Sequence, residues 1–181
     1  MKDRLAAVAV ILILYSIIAL AEQYRGSFDT IEEAIRNQAG VSETLQVQEL
    51  VPAFQSRDHA LYFGVNSSQS IVGVYLTKTM FGWRVKSRTT GTGMELTSEL
   101  QKPLGGGTIK DNELIYGLAN ANLVQEVRVN GTRAAIIPID KYLPYPGAEG
   151  KAVWYLLFKK REASAVIEAF DYSGSRVYPS P

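Results

Sequence analysis

The chain's one histidine, His59, follows Arg57 and Asp58. A Ser-His-Asp mechanism would have to run through that imidazole, and no G-x-S-x-G elbow is present to supply its serine. Ser67, Ser68 and Ser70 fall in a turn, so His59 reads as a solvated or hydrogen-bonded residue at the start of a strand. Three carboxylate pairs have the composition for general acid–base work: Glu32 with Glu33, Asp111 with Glu113, and Glu168 with Asp171. Glycoside hydrolysis needs two carboxyls about 5–10 Å apart across a cleft, a condition that spacing in sequence does not establish. Glu32 and Glu33 also suit the first turn of a helix, where acidic groups favour the dipole. Asp111-Asn112-Glu113 lacks the ligand order of a calcium loop and reads as a turn. Gly105-Gly106-Gly107-Thr108-Ile109-Lys110 lacks the order of a phosphate loop and precedes no long helix.

What is missing narrows the chemistry further. The 181 residues include no cysteine and a single histidine. Disulfides, thiolate nucleophiles, zinc-thiolate sites and acylated lipoprotein anchors are therefore excluded, and so are multi-histidine metal sites. No catalytic, cofactor or metal residue is assigned. Lys and Arg total 19 against 18 Asp and Glu, so no global attraction to nucleic acid is expected.

Two surfaces are candidates for binding. Arg84, Lys86 and Arg88 alternate with Trp83 and Val85, which predicts a basic outer face on a strand over 81–88. Such a face suits an anionic polymer such as teichoic acid, or lipid headgroups, at roughly 1 kcal/mol per charge near an anionic surface. Lys159-Lys160-Arg161 would add to it. The competing use is a solvated face whose cations protect a sheet edge. The second surface is Tyr142-Leu143-Pro144-Tyr145-Pro146, where Tyr142, Pro144, Tyr145 and Pro146 make a rigid, partly exposed apolar loop suited to another envelope protein. Trp83 and Trp154 lie in apolar strands, and core packing is the preferred reading for both.

The elements that must position these residues begin with Leu5–Ala21, a run of 17 residues without charge, proline or glycine. As a helix it rises about 25 Å, slightly less than the roughly 30 Å hydrocarbon core of a bilayer. Lys2 and Arg4 on its N-terminal side orient it with the C-terminal part outside the cytoplasm. The run is either an uncleaved anchor or, because Ala19-Leu20-Ala21 has the A-x-A pattern, a signal peptide cut before Glu22. A buried core helix is the third reading. Removing Lys2, Arg4 and Asp3 from the totals leaves 17 basic and 17 acidic groups in the remainder. Residues 1–25 are expected to form the membrane or signal segment, and 26–181 one extracytoplasmic β-rich domain.

Within that domain, Ser27–Gly40 predicts a short amphipathic helix with Asp29 as its cap and Glu32 three residues on. The rest is mainly β. Strands are expected over 45–51, 59–65, 70–77, 81–88, 113–119, 124–129, 132–139, 151–159, 164–172 and 176–178. Loops are expected at 89–93, 102–107 and 143–150. The pair 59–65 and 70–77 is apolar on both faces and so should lie centrally. Asn130-Gly131 is the strongest hairpin signal in the chain. It also fits the N-glycosylation pattern, as does Asn66-Ser67-Ser68, and both are read first as turns. The pattern predicts a mainly β, antiparallel sandwich or open barrel, with an N-terminal transmembrane or signal helix and one short amphipathic helix.

The succession "DTIEEAI", "ALYFGV", "GVYLTKTMFGWRV" and "ELIYGLANANLVQEVRVNGTRAAIIPI", behind an N-terminal span, resembles a group of small membrane-anchored or secreted proteins of Gram-positive bacilli. That group is largely of unknown function. The resemblance implies an extracytoplasmic compartment and a β-rich fold, and it carries no catalytic residues. The function expected is a non-enzymatic binding or accessory module at the cell envelope, with residues 5–21 in the lipid bilayer. The alternatives are an envelope hydrolase using paired carboxylates and a structural spacer that self-associates.

Overall fold

A computed structural model describes residues 2–37, 50–97, 100, 102–110, 114–145, 147–158 and 165–178. The side chains of 2–7, 92 and 106–110 are left undescribed. Pro146, Gly40, Asp111, Glu113 and Lys159-Lys160-Arg161 lie outside the described residues, as does the expected strand over 45–51 apart from its last two positions.

The fold is mainly β and antiparallel, with two helices. Helix α1 (Lys2–Arg25) is the apolar N-terminal segment extended four residues beyond Ala21. Helix α2 (Ile31–Asn37) is shorter than the predicted 27–40. Its cap is Thr30 rather than Asp29: the Glu33 amide donates to Thr30 Oγ1 at 3.1 Å. Thr30 and Glu33 have the same T-x-x-E spacing one residue later, so the signal was real and its register off by one.

Twelve strands form three four-stranded sheets. Sheet 1 contains β1 (Val51–Gln55), β2 (His59–Val65), β3 (Ser70–Thr79) and β4 (Gly82–Glu95), in that order. Sheet 2 joins β5 (Leu104–Lys110), β6 (Leu114–Asn120), β10 (Lys151–Leu157) and β9 (Ala135–Pro138). Sheet 3 runs β12 (Arg176–Tyr178), β11 (Ile167–Phe170), β7 (Glu126–Val129), β8 (Thr132–Arg133).

The two-residue period of strands explains how these sheets stack. In sheet 1, Leu61, Phe63, Val65 and Ile71 point to one face, where they pack with Leu114, Tyr116, Leu118 and Val153 of sheet 2. The intervening Ala60, Tyr62, Val72, Val74 and Leu76 point the other way and receive Ile31, Ala34 and Ile35 of α2. Sheet 2 repeats the device. Ile115, Ala119 and Trp154, one residue out of step with the first set, face Val127, Val129 and Ala169 of sheet 3. The order is therefore helix, sheet 1, sheet 2, sheet 3, with sheets 1 and 2 each covered on both faces. That is why β2, β3, β6 and the first half of β10 read as continuous apolar runs instead of alternating ones.

Three expectations change. The segment 89–93 is the continuation of β4, pairing Thr89 with Gly73 and Thr90 with Val72. The glycine-rich 104–110 is a strand on β6 rather than a loop. The single strand expected over 132–139 divides at the buried Ala134, its two parts joining different sheets. The turns behave as their residues require. Asn130 and Gly131 have φ of 50° and 74°, as a type I′ turn demands. Asn66 Oδ1 accepts from the amides of Ser68 and Ser70 at 3.0 and 2.8 Å, closing an Asx-type turn.

Candidate functional site

The join between α1 and sheet 1 is fixed by a set of backbone and side-chain hydrogen bonds. After Arg25 the chain makes one turn: Gly26 N donates to Glu22 O, and Ser27 N to Tyr24 O, both at 3.2 Å. Phe28 then pairs with Trp83, exchanging Phe28 N–H to Trp83 O at 2.9 Å and Trp83 N–H to Phe28 O at 2.7 Å. Ser27 Oγ lies 3.2 Å from Thr79 Oγ1. Thr79 Oγ1 in turn accepts from Phe81 N at 3.2 Å, shaping the β3–β4 turn. Gly82 has φ +126°, and a Cβ there would stand 2.3 Å from the Phe28 carbonyl oxygen, so only glycine permits this approach.

The tip of that turn carries Met80, which is 81% exposed, and Phe81. Phe81 meets Tyr24 of α1 edge-on, with ring centroids 5.8 Å apart and planes at 89°. Cations surround the join. Arg25 is exposed, and a Cβ added at Gly26 would lie 3.3 Å from Arg84 Nε. Lys78 Nζ sits 5.6 Å from the Trp83 ring centroid. The sequence carried a signal for this site that composition does not register, two bulky apolar residues side by side at a hairpin tip.

The expected basic face does not form as one stripe. Arg84 stands opposite Thr77, and Arg88 opposite Val74, with the register shifting between Tyr75 and Leu76. Lys86 is the extra residue of this bulge, and a bulge reverses the faces of the residues on either side. Arg88 thus shares the helix-covered face with Val74, whereas Arg84 shares the opposite face with Thr77. Lys86 Nζ lies 5.7 Å from the Tyr75 ring centroid.

The loop after β9 also divides. Leu143 is 1% exposed and belongs to the core between sheets 1 and 2, against which Tyr145 packs partly buried. Gly147 fits so closely that a Cβ would reach 1.9 Å from the Leu96 carbonyl oxygen. Lys151, buried at the start of β10, donates from Nζ to that same oxygen at 2.6 Å. Burial holds the Lys151 ammonium below the usual lysine pKa. Tyr142, at 43%, and Pro144 are the exposed part of the loop.

Of the remaining chemistry-bearing residues, Glu32 and Glu33 are exposed in the first turn of α2, and several others are engaged in the fold. Glu168 pairs with Arg176 at 3.0 Å. Asp171 Oδ1 accepts from Ser173 Oγ and from the amides of Ser173 and Ser175 at 2.7–2.9 Å, and these bonds depress its pKa. His59 is exposed and stacks on Tyr75, 5.8 Å between centroids. Trp83 and Trp154 are core residues. A depression of about 500 Å³ near β9 is lined by Val124, Ile136, Pro138 and Tyr172, with Arg133 as its one charged side chain. Among the described residues no group of three His, Asp or Glu side chains is placed to hold a metal.

Compared with protein-family models, with curated proteins and with solved structures, the chain matches none.

Proposed function

We propose that this protein is a membrane-tethered, non-enzymatic binding or accessory module of the cell envelope, held by α1 on the outer face of the cytoplasmic membrane. One observation carries the reading. The stretch Val8–Arg25 is long and apolar enough to cross a bilayer, and none of it is buried against the rest of the protein. An apolar helix whose side chains are exposed finds its low-energy surroundings in hydrocarbon. Lys2 and Arg4 favour the orientation with the folded part outside. The helix runs unbroken through Ala19-Leu20-Ala21 and is hydrogen-bonded into sheet 1 three residues after it ends, which supports retention of the anchor over cleavage. The engagement of Glu168 and Asp171 in structural contacts favours a binding role over a carboxylate hydrolase. Tyr142 and Pro144 are the surface proposed to meet another envelope protein.

The absence of native cysteine makes the test direct. The full chain carrying Ser173→Cys is expressed, and intact cells are treated with a membrane-impermeant maleimide. Labelling of a membrane-bound protein that retains its N-terminus by mass spectrometry is the expected result. A protein labelled only after lysis, or recovered in soluble form starting at Glu22, overturns the tethered reading. For the partner surface, in-cell cross-linking of Tyr142→Ala/Pro144→Ala should lose a neighbour that the parent chain captures.

A further inference from the structure

We infer that the β3–β4 hairpin tip, Met80 with Phe81, is a second membrane contact that sits in the outer interfacial layer beside the exit of α1 and fixes the height and tilt of the folded part. The inference rests on the tethered reading above and goes beyond it, since a tether by itself brings no part of the folded body to the lipid.

Depth follows from the helix geometry. The apolar run ends at Ala21, and Tyr24 lies three residues further, about 4.5 Å along the axis. The interfacial zone beyond the hydrocarbon is roughly 5–7 Å thick on each side, so Tyr24 falls within it. Phe81 touches Tyr24 at 5.8 Å between centroids and so lies within that distance of its depth. The apolar run is some 5 Å shorter than an average hydrocarbon core, a mismatch that draws the flanking residues towards the lipid.

Composition fits the same layer. Tyrosine and other aromatic residues favour the membrane–water boundary, and Met80 is the most exposed large apolar side chain among the described residues beyond α1. In water that exposure has no compensation; against acyl chains it is favourable. Arg25, Lys78 and Arg84 stand around the tip at headgroup level, where cations are attracted to anionic lipid. The pairing of Phe28 with Trp83 leaves no slack between helix and hairpin, so insertion of one places the other.

The test uses the full-length protein in phosphatidylcholine–phosphatidylglycerol vesicles, with an environment-sensitive fluorophore on one cysteine at a time. Ile13→Cys reports on α1, Met80→Cys on the tip and Ser173→Cys on the β11–β12 turn of sheet 3; all three positions are exposed, and at 173 the amides of Ser173 and Ser175 still donate to Asp171. Lipids carrying a nitroxide at a shallow acyl position serve as quenchers. The expected result is strong quenching at 13 and, for a group held some 5–10 Å from the headgroup–acyl boundary, at least about twofold more quenching at 80 than at 173. Quenching at 13 with 80 no different from 173 overturns this inference and leaves the tether intact. Absence of quenching at 13 overturns both. Replacing phosphatidylglycerol by phosphatidylcholine throughout should reduce the signal at 80 but not at 13, and an unchanged signal at 80 removes the headgroup part of the inference.

Discussion

Tyr155 of β10 donates its hydroxyl to the carbonyl of Ala53 in β1, 2.5 Å away and 102 residues earlier in the chain. Tyr116 makes the equivalent reach from β6, donating to the Thr89 carbonyl and accepting from the Gly73 amide at 3.3 Å. Phe63 lies between the two rings, 5.1 Å from Tyr116 and 6.0 Å from Tyr155 by centroid. Sheets 1 and 2 are thus fastened by phenols that use their apolar bodies for packing and their hydroxyls to satisfy backbone groups across the interface.

Tyr116→Phe should lower stability by about 1–3 kcal/mol and Tyr155→Phe by about 1 kcal/mol, read as shifts of a urea midpoint without change of slope. Burial raises the pKa of both phenols. The unfolded chain therefore releases these protons first, and stability falls as pH rises above the ordinary tyrosine value near 10. Each Phe variant should flatten that alkaline limb, and an unchanged limb in the double variant would show the phenols are not its source.

Lys151 has the opposite sign. Its pKa is depressed by burial, so between the lowered native value and the ordinary lysine value the unfolded state binds more protons, and stability rises with pH through that window. Lys151→Met should abolish this rise. It should also cost about 1–2 kcal/mol at neutral pH through loss of the bond to the Leu96 carbonyl. Parallel denaturation series at stepped pH for parent and variant check both.

Glycine substitutions should separate steric from conformational demands. Gly131 has φ +74° with open space around it, and Gly131→Ala should cost only about 1 kcal/mol. Gly82→Ala places a methyl 2.3 Å from the Phe28 carbonyl oxygen and must displace the α1–sheet 1 join. Faster amide exchange of Trp83 in Gly82→Ala, with the Gly131→Ala protein unaffected there, is the expected pattern.

The loop after β9 should show a division between packing and surface. Leu143→Ala is expected to destabilise by about 2–5 kcal/mol as a core truncation. Tyr142→Ala and Pro144→Ala should stay within about 0.5 kcal/mol, so any loss of a cellular neighbour in those variants reports contact rather than unfolding. Thermal denaturation of the three proteins decides it.

The strand pattern was legible wherever one element's residues settled it. His59–Val65 matches β2 at both ends, and its apolar character on both faces correctly placed it, with β3, at the centre of its sheet. The stretch Thr89–Gly93 was not legible, because its two glycines are of a type depleted in strands, whereas pairing of Thr89 and Thr90 with β3 continues the strand. The glycines of β5 mislead for a related reason. A Cβ at Gly105 would stand 3.0 Å from Leu100 Cδ1 and 3.4 Å from the Gly93 carbonyl oxygen, so strand pairing sets this glycine close against its neighbours. Arg84, Lys86 and Arg88 alternate in sequence, but the bulge at Lys86 breaks the period on which a single basic face depended. Tyr142 and Pro144 are exposed as a contact surface requires, whereas Tyr145 packs towards the core. Leu143, between them, is the anchor that composition alone did not single out.

The position of β10 decides how this chain is completed as it is made. It lies between β6 and β9, and its alternate residues enter both cores flanking sheet 2. Yet it begins at Lys151, after most of the chain. Until it arrives, β6 lacks its partner on that side, and an unpaired strand edge is open to pairing with another chain. Sheet 1 and α2 can assemble early, whereas sheets 2 and 3 must wait for a late central strand. A chain that stops before residue 151 lacks the strand that both cores flanking sheet 2 share.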